Sequence, residues 1–240
     1  MSDKKSYNEY ISNLGGNSKE YHLKNVDILP GSPLQGMNVC FLGSSVTLGH
    51  ASLGDSFVEY ISKRNSCYYE KLAISGTTLV NNGPFSYSAR ISNPGIIPKN
   101  SLFDLFVVQL STNDARTEQP FGSIKGPDYS SNEYDQNTIA GAIEFIISYI
   151  KQVFKCPIVF FTNTKYENYE YETMVNGLLQ IQKLWNIGVI DLWNNNDLNK
   201  ALKDDYDLYM ADDVHPTQAG YLKLWTPIME QYLYQFIQTI

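Results

Sequence analysis

The sequence predicts an α/β fold in which one five-stranded parallel sheet carries helices on both faces. Three observations predict it. Five short apolar runs of strand length recur along the 240 residues. Amphipathic helical patterns separate most of them, and the first run ends in a glycine and then two serines, where a strand must turn toward a helix. A 43% hydrophobic content over this length is enough to fill a core of that size.

Taken in order, residues 1–36 read as a helix over about 4–13, a Gly15-Gly16 break and an irregular approach through Pro30, Gly31 and Pro33. They form an arm expected to pack on a main domain of residues 37–240, and the arm leaves a homo-oligomer open. The first strand is 38–43, NVCFLG, where consecutive Val39, Cys40, Phe41 and Leu42 imply burial on both faces. A helix follows at about 55–64. The next strand, 68–74, is also read as buried, as are 104–110, 157–163 and 187–192. Further helices are expected over 138–154, 171–186 and 217–239. Two stretches, 77–100 and 115–137, are rich in Gly, Pro, Asn and Tyr and resist assignment. Long connections of this kind at strand ends are expected to wall a substrate cleft. No internal repeat or low-complexity tract is present.

Composition narrows the partners. A net charge of −7 opposes binding to a nucleic-acid backbone or an anionic membrane surface, both of which want clustered Lys and Arg. Cys40, Cys67 and Cys156 lie in or beside apolar runs rather than at metal-ligand spacing, and read as reduced core thiols. The first residues lack the continuous apolar stretch of a signal or anchor, so the expected compartment is the cytoplasm.

The chemistry gathers at strand ends, where parallel sheets bind their ligands. Ser45 follows the first strand within Gly43-Ser44-Ser45, Gly76 follows the second, and Asn113 follows the third in Ser111-Thr112-Asn113-Asp114. A serine nucleophile needs a base, and the base needs a partner. Of three histidines, His22 lies in the arm and His50 reads as mainly structural. His215 sits in Asp212-Asp213-Val214-His215-Pro216. Asp212, one turn before it, is the preferred orienting acid, and Asp213 is its rival. Gly76 and Asn113 are candidate oxyanion donors. A competing reading is a flavodoxin-like flavin- or phosphate-binding protein in which Ser44, Ser45 and Thr47 cradle a phosphate. It leaves Asn113 and the Asp212/His215 pair unexplained.

With these residues in order, the chain resembles the SGNH hydrolases, the GDSL-type esterases and lipases. Gly43-Ser44-Ser45 looks like the nucleophile block, Gly76 the second, Ser111-Thr112-Asn113-Asp114 the third and Asp212-Asp213-Val214-His215 the last. Ser44 stands where the family has aspartate, and Ser111 where it has glycine. A literal Gly54-Asp55-Ser56 is read as the start of a helix. The resemblance implies a three-layer flavodoxin-like fold and hydrolysis of a small-molecule ester through an acyl-serine intermediate. Ser45 would attack, His215 would carry the proton and Asp212 would orient His215. The Ser45 and Gly76 N–H groups and the Asn113 amide would hold the oxyanion. No metal or organic cofactor is implied. Acetyl groups on carbohydrates are one expected substrate, with Phe85, Tyr87, Tyr129 and Tyr134 as candidate stacking surfaces.

Overall fold

A computed structural model describes residues 2–239. The terminal residues of the expected arm and main domain, 1 and 240, lie outside that range. The sheet consists of β1 (Asn38–Gly43), β2 (Tyr68–Ala73), β3 (Leu105–Gln109), β4 (Ile158–Phe161) and β5 (Gly188–Ile190). Its order is β2-β1-β3-β4-β5, and every neighbouring pair is parallel.

The unbroken apolar runs are explained by two cores. Alternate residues Cys40, Leu42, Phe106, Val108, Ile158, Phe160 and Val189 enter one, while Val39, Phe41, Leu105, Val107, Val159, Phe161 and Ile190 enter the other. Both faces are therefore dry, and each fully buried Phe, Leu or Ile contributes about 1.5–3 kcal/mol relative to exposure.

The helices, in chain order, are α1 (Ser2–Ser12), α2 (Ser45–Leu48), α3 (Phe57–Asn65), α4 (Tyr87–Ser92), α5 (Thr112–Arg116), α6 (Ile139–Tyr149), α7 (Tyr169–Trp185), α8 (Asn196–Asp204), α9 (Tyr206–Tyr209), α10 (Gln218–Gly220) and α11 (Thr226–Ile237). Helices α4, α6 and α7 cover the first core; α3, α8 and α11 cover the second. The result is the three-layer α/β architecture expected from the sequence.

Several local expectations are corrected. The β2 strand is not buried: it lies at the sheet edge, with Tyr68 and Tyr69 exposed. Its Lys71 instead reaches the Glu59 carboxylate of α3 at 2.6 Å. The stretch 77–100 contains α4, which the Asn- and Pro-rich flanks obscure. The expected 138–154 helix ends as α6 and passes into a π-helical turn, Ile150–Phe154. The expected 217–239 helix is α10, a π-helical turn Tyr221–Trp225, and α11. Pro227, which has no N–H to donate, lies in the first turn of α11, two residues beyond Trp225. Helix α8 has no counterpart in the sequence reading.

The N-terminal segment is tied in by a buried amide. Asn17 Nδ2 donates to Ile11 O and Ala51 O at 2.7 and 2.8 Å, and its Oδ1 accepts the Gln218 N–H at 2.8 Å. One side chain thus connects the first helix, the loop after α2 and the start of the C-terminal helices.

Candidate active site

The site is built from three connections at the carboxyl edge of the sheet. The first is the turn from β1 into α2. A Cβ on Gly43 would lie 1.9 Å from Thr47 Oγ1, so only glycine allows the chain to turn this tightly. Gln109, the last residue of β3, holds the turn from the neighbouring strand. Its Oε1 accepts from the Ser44 N–H at 2.9 Å, the Thr47 N–H at 3.3 Å and the Thr47 hydroxyl at 2.8 Å. Ser45 opens α2, a position whose N–H has no partner within the helix. The Ser44 and Thr47 N–H groups are committed to Gln109, so neither is available to a phosphate.

The second connection runs from β2 through residues 74–80. Gly76 adopts φ +79°, a left-handed backbone that disfavours other residues, and nothing within 4 Å would meet a Cβ there. The segment is fastened from α5. Ser111 Oγ and Asn113 Nδ2 donate to Thr77 O at 3.1 and 3.0 Å, and the Asp114 carboxylate accepts the Leu79 and Val80 N–H groups at 2.8 and 3.1 Å. Ser111 also caps α5 by accepting the Asn113 N–H. Burial pushes the Asp114 carboxyl up to about 6 against the opposing effect of those N–H groups.

The third connection is the loop before α10. The Ala211 N–H donates to His215 O at 2.9 Å, and Met210 and Pro216 form a bridge, which pinches the loop. Inside it, Asp212 Oδ1 accepts the Val214 and His215 N–H groups at 2.9 and 2.8 Å. His215 Nδ1 lies 2.8 Å from Asp212 Oδ2, and His215 Nε2 lies 2.8 Å from Ser45 Oγ. Burial raises the Asp212 carboxyl, but the His215 ring and the two N–H groups outweigh it and hold the carboxyl below the ordinary aspartate value. Asp213 points away and accepts from the Tyr206 hydroxyl at 2.9 Å.

The structure therefore brings Ser45, His215 and Asp212 into one continuous hydrogen-bonded line, with Gly76 and Asn113 on adjoining strand ends. His22 stays in the arm. His50 stands at the rim: its ring centre is 5.8 Å from that of His215 and 4.9 Å from that of Tyr7, on which it stacks. Burial, then the neighbouring His215, lowers its pKa. Gly54-Asp55-Ser56 lies outside the site, since Ser56 caps α3 in a reciprocal pairing with Glu59.

A cavity of about 410 Å³ opens over Ser45 and His215, bounded by Thr112, Asn113, Arg116, Tyr166 and Asn168. Tyr166, Asn168 and Asp213 also line a neighbouring cleft of about 710 Å³ that extends past Trp193, Lys203 and Tyr206. The expected walls are thus corrected. The 77–100 segment contributes nothing to this cavity, and 115–137 contributes only Arg116. Both stretches turn back onto the sheet, where Tyr87, Ile91 and Tyr134 join the core, and neither Phe85 nor Tyr129 faces the cavity. Residues 164–169 and 206–214 take their place. Among the described residues, no group of three or more His, Cys, Asp or Glu could hold a metal ion.

Sequence reasoning missed Gln109, Arg90 and Tyr166. Gln109 did carry a signal, as a lone amide ending the run Leu-Phe-Val-Val-Gln.

The fold and these strand-end groups define a three-layer α/β hydrolase with a serine and a histidine in hydrogen-bond contact. The model of the GDSL-like lipase/acylhydrolase family matches residues 41–223, and the chain belongs to that family. It is accordingly an ester hydrolase of the SGNH type. Solved structures with the same fold include a protein from Lactobacillus plantarum (17% identity, 85% of this chain and 98% of that one, TM-score 0.66). A second is a member of the lipolytic G-D-S-L family from Veillonella parvula (15% identity, 82% and 97%, TM-score 0.60). A third is a candidate GDSL-like lipase from Bacteroides ovatus (16% identity, 86% and 100%, TM-score 0.60). No match was found among curated protein sequences.

Proposed function

We propose that the chain hydrolyses small acyl esters through an acyl-Ser45 intermediate. The observation that carries this reading is the Ser45–His215–Asp212 line, with 2.8 Å at each of its two links. An ionised carboxylate only accepts, so His215 presents Nδ1–H to Asp212 and leaves Nε2 as the acceptor for the Ser45 hydroxyl. Ser45 Oγ adds to the ester carbonyl while its proton passes to Nε2. The tetrahedral intermediate collapses as Nε2 returns that proton to the leaving alcohol. Water then adds to the acyl-serine by the same route, releasing the acid and restoring the hydroxyl. The Ser45 and Gly76 N–H groups and the free N–H of the Asn113 amide hold the oxyanion, an arrangement in which each donor is worth about 10²–10³ in rate.

The cleft beyond Tyr166 favours an ester whose alcohol portion is larger than its acyl group. The Tyr166, Trp193 and Tyr206 rings with Lys203 and Asn168 suit a polar ring such as an acetylated sugar. The partner is a small molecule rather than nucleic acid or membrane, and the acidic composition supports this. Among the described residues, no helix is long and apolar enough to cross a membrane. The three unpaired, buried cysteines are compatible with the cytoplasm.

Ser45→Ala tests the proposal. Hydrolysis of p-nitrophenyl acetate should fall by about 10⁴-fold or more, and labelling by a fluorophosphonate should vanish, with the melting temperature preserved. Turnover surviving in this variant removes Ser45 from the reaction.

A further inference from the structure

Arg90 is a buried cation with no anionic partner. It is 1% exposed, and no carboxylate among the described residues makes an ion pair with it. An unpaired charge in the interior is costly, by several kcal/mol in general. It donates to four neutral acceptors, two of which, Gly43 O and Thr77 Oγ1, belong to the two connections that frame the oxyanion. Nη2 donates to Gly43 O at 2.9 Å and to Thr77 Oγ1 at 3.2 Å, Nη1 to Leu72 O at 2.6 Å, and Nε to Phe85 O at 2.9 Å. Gly43 lies two residues before Ser45, and Thr77 one residue after Gly76. The guanidinium also stands over the Tyr87 ring, 5.0 Å from its centre, which offsets part of the desolvation. Burial lowers the Arg90 pKa, though an arginine remains charged throughout the working range.

Carbonyls at the ends of two strands do not need a guanidinium to satisfy them, since water or a loop N–H would serve at the surface. The planar fork does something these cannot. It ties β1, β2 and the Gly76 turn to one rigid group, so that the two backbone donors for the oxyanion keep a fixed separation. It also leaves a net positive charge beneath the edge at which negative charge develops, in surroundings of low dielectric where that charge is poorly screened.

We propose that Arg90 is a positioning residue for the oxyanion: it fixes the Ser45 and Gly76 N–H groups relative to one another and biases that edge toward negative charge. This inference rests on the serine hydrolase reading above. Arg90 does not touch substrate, and its effect falls on the transition state more than on substrate binding.

The test compares Arg90→Gln, Arg90→Lys and Thr77→Val with the wild type on p-nitrophenyl acetate, with Ser45→Ala alongside. Arg90→Gln should lose about ten- to a hundredfold in kcat with KM changed less than about threefold, a fraction of what removal of a direct donor costs. Affinity for a boronic acid, which mimics the tetrahedral state, should fall in parallel with kcat. Arg90→Lys keeps the charge without the fork and should fall between Arg90→Gln and wild type. Thr77→Val removes one contact of the fork together with the hydroxyl's bond to Ile74 O at 2.7 Å, so Thr77→Ser, which keeps both, is its control. Thr77→Val leaves the core intact should Arg90→Gln fail to fold, and should lower kcat several-fold at constant KM while Thr77→Ser stays near wild type. Folded fraction is read from the cooperativity of thermal melting. If Arg90→Gln and Thr77→Val melt lower but retain wild-type kcat and boronic acid affinity, the role is purely structural and the proposal is overturned while the serine mechanism stands. If wild-type hydrolysis survives in Ser45→Ala, the serine reading falls, and the Arg90 proposal falls with it.

Discussion

Gln109→Met isolates what holds Ser45 in place. Methionine keeps the length and most of the volume of the side chain but removes the acceptor that serves the Ser44 N–H, the Thr47 N–H and the Thr47 hydroxyl. Gln109 is 1% exposed and Ser44 and Thr47 are fully buried, so water cannot readily replace it. The Thr47 hydroxyl can rotate toward another partner, which leaves two buried N–H groups unpaired at about 1–3 kcal/mol each. The sum, about 2–6 kcal/mol, corresponds to a fall in melting temperature of about 4–24 °C for a chain of this size. Ser45 follows directly on Ser44, and a shift of about 1 Å in a reacting group can cost about 10²-fold in rate. Thermal unfolding followed by circular dichroism gives the first quantity, and steady-state hydrolysis of p-nitrophenyl acetate by the folded variant gives the second. A Gln109→Met protein that melts within about 2 °C of wild type and keeps kcat within about threefold would show that the turn is held by its own backbone, and the reasoning would be wrong.

Two further outcomes follow from the carboxylates. Asp212→Asn should lower kcat by about 10³–10⁴-fold with little change in KM, because an amide does not select the ring tautomer that accepts from Ser45; Asp213→Asn, whose partner is Tyr206, should cost less than about tenfold, and steady-state kinetics of the pair would expose an exchange of roles. The carboxyl of Asp114 is raised to about 6 in the folded protein, so the native state holds that proton over a range where the unfolded chain has released it. Its stabilising contribution is complete below about pH 4 and is lost as pH rises through about 6, by about 3 kcal/mol. Urea unfolding of wild type and Asp114→Asn should show the stability difference between them shrinking or reversing by this amount from pH 4 to pH 7, and a difference independent of pH would refute the assignment.

The architecture and the hydrogen-bonded line of Ser45, His215 and Asp212 are readable from the sequence for one reason. Strands buried on both faces write themselves as unbroken apolar runs, and their carboxyl ends are then the only places where Ser45, Gly76 and Asn113 could share a surface. Asp212 and His215 were readable because the loop is local: the carboxylate sits one turn before the ring and also accepts the loop's own N–H groups. The expectation for β2 failed because an edge strand is defined by what lies beside it, which residues 68–74 do not state.

The substrate wall was not readable, and the reason is general. Phe85, Tyr87, Tyr129 and Tyr134 have the composition of a binding surface, but where a long connection travels depends on which apolar side chains it can bury. Here Tyr87 and Ile91 of α4 and Tyr134 drop onto the sheet beside α6. The same fold-back that removes these aromatics from the cleft delivers Arg90 beneath the ends of β1 and β2. One packing decision thus transfers the 77–100 segment from the role of substrate contact to that of support. The cavity is left to Tyr166 and its neighbours, on a connection that the sequence reading had passed over. Tyr166 and Trp193 lie on connections separate from the turns that Arg90 and Gln109 hold, so substitutions at these two positions should change which ester is accepted without disturbing that frame.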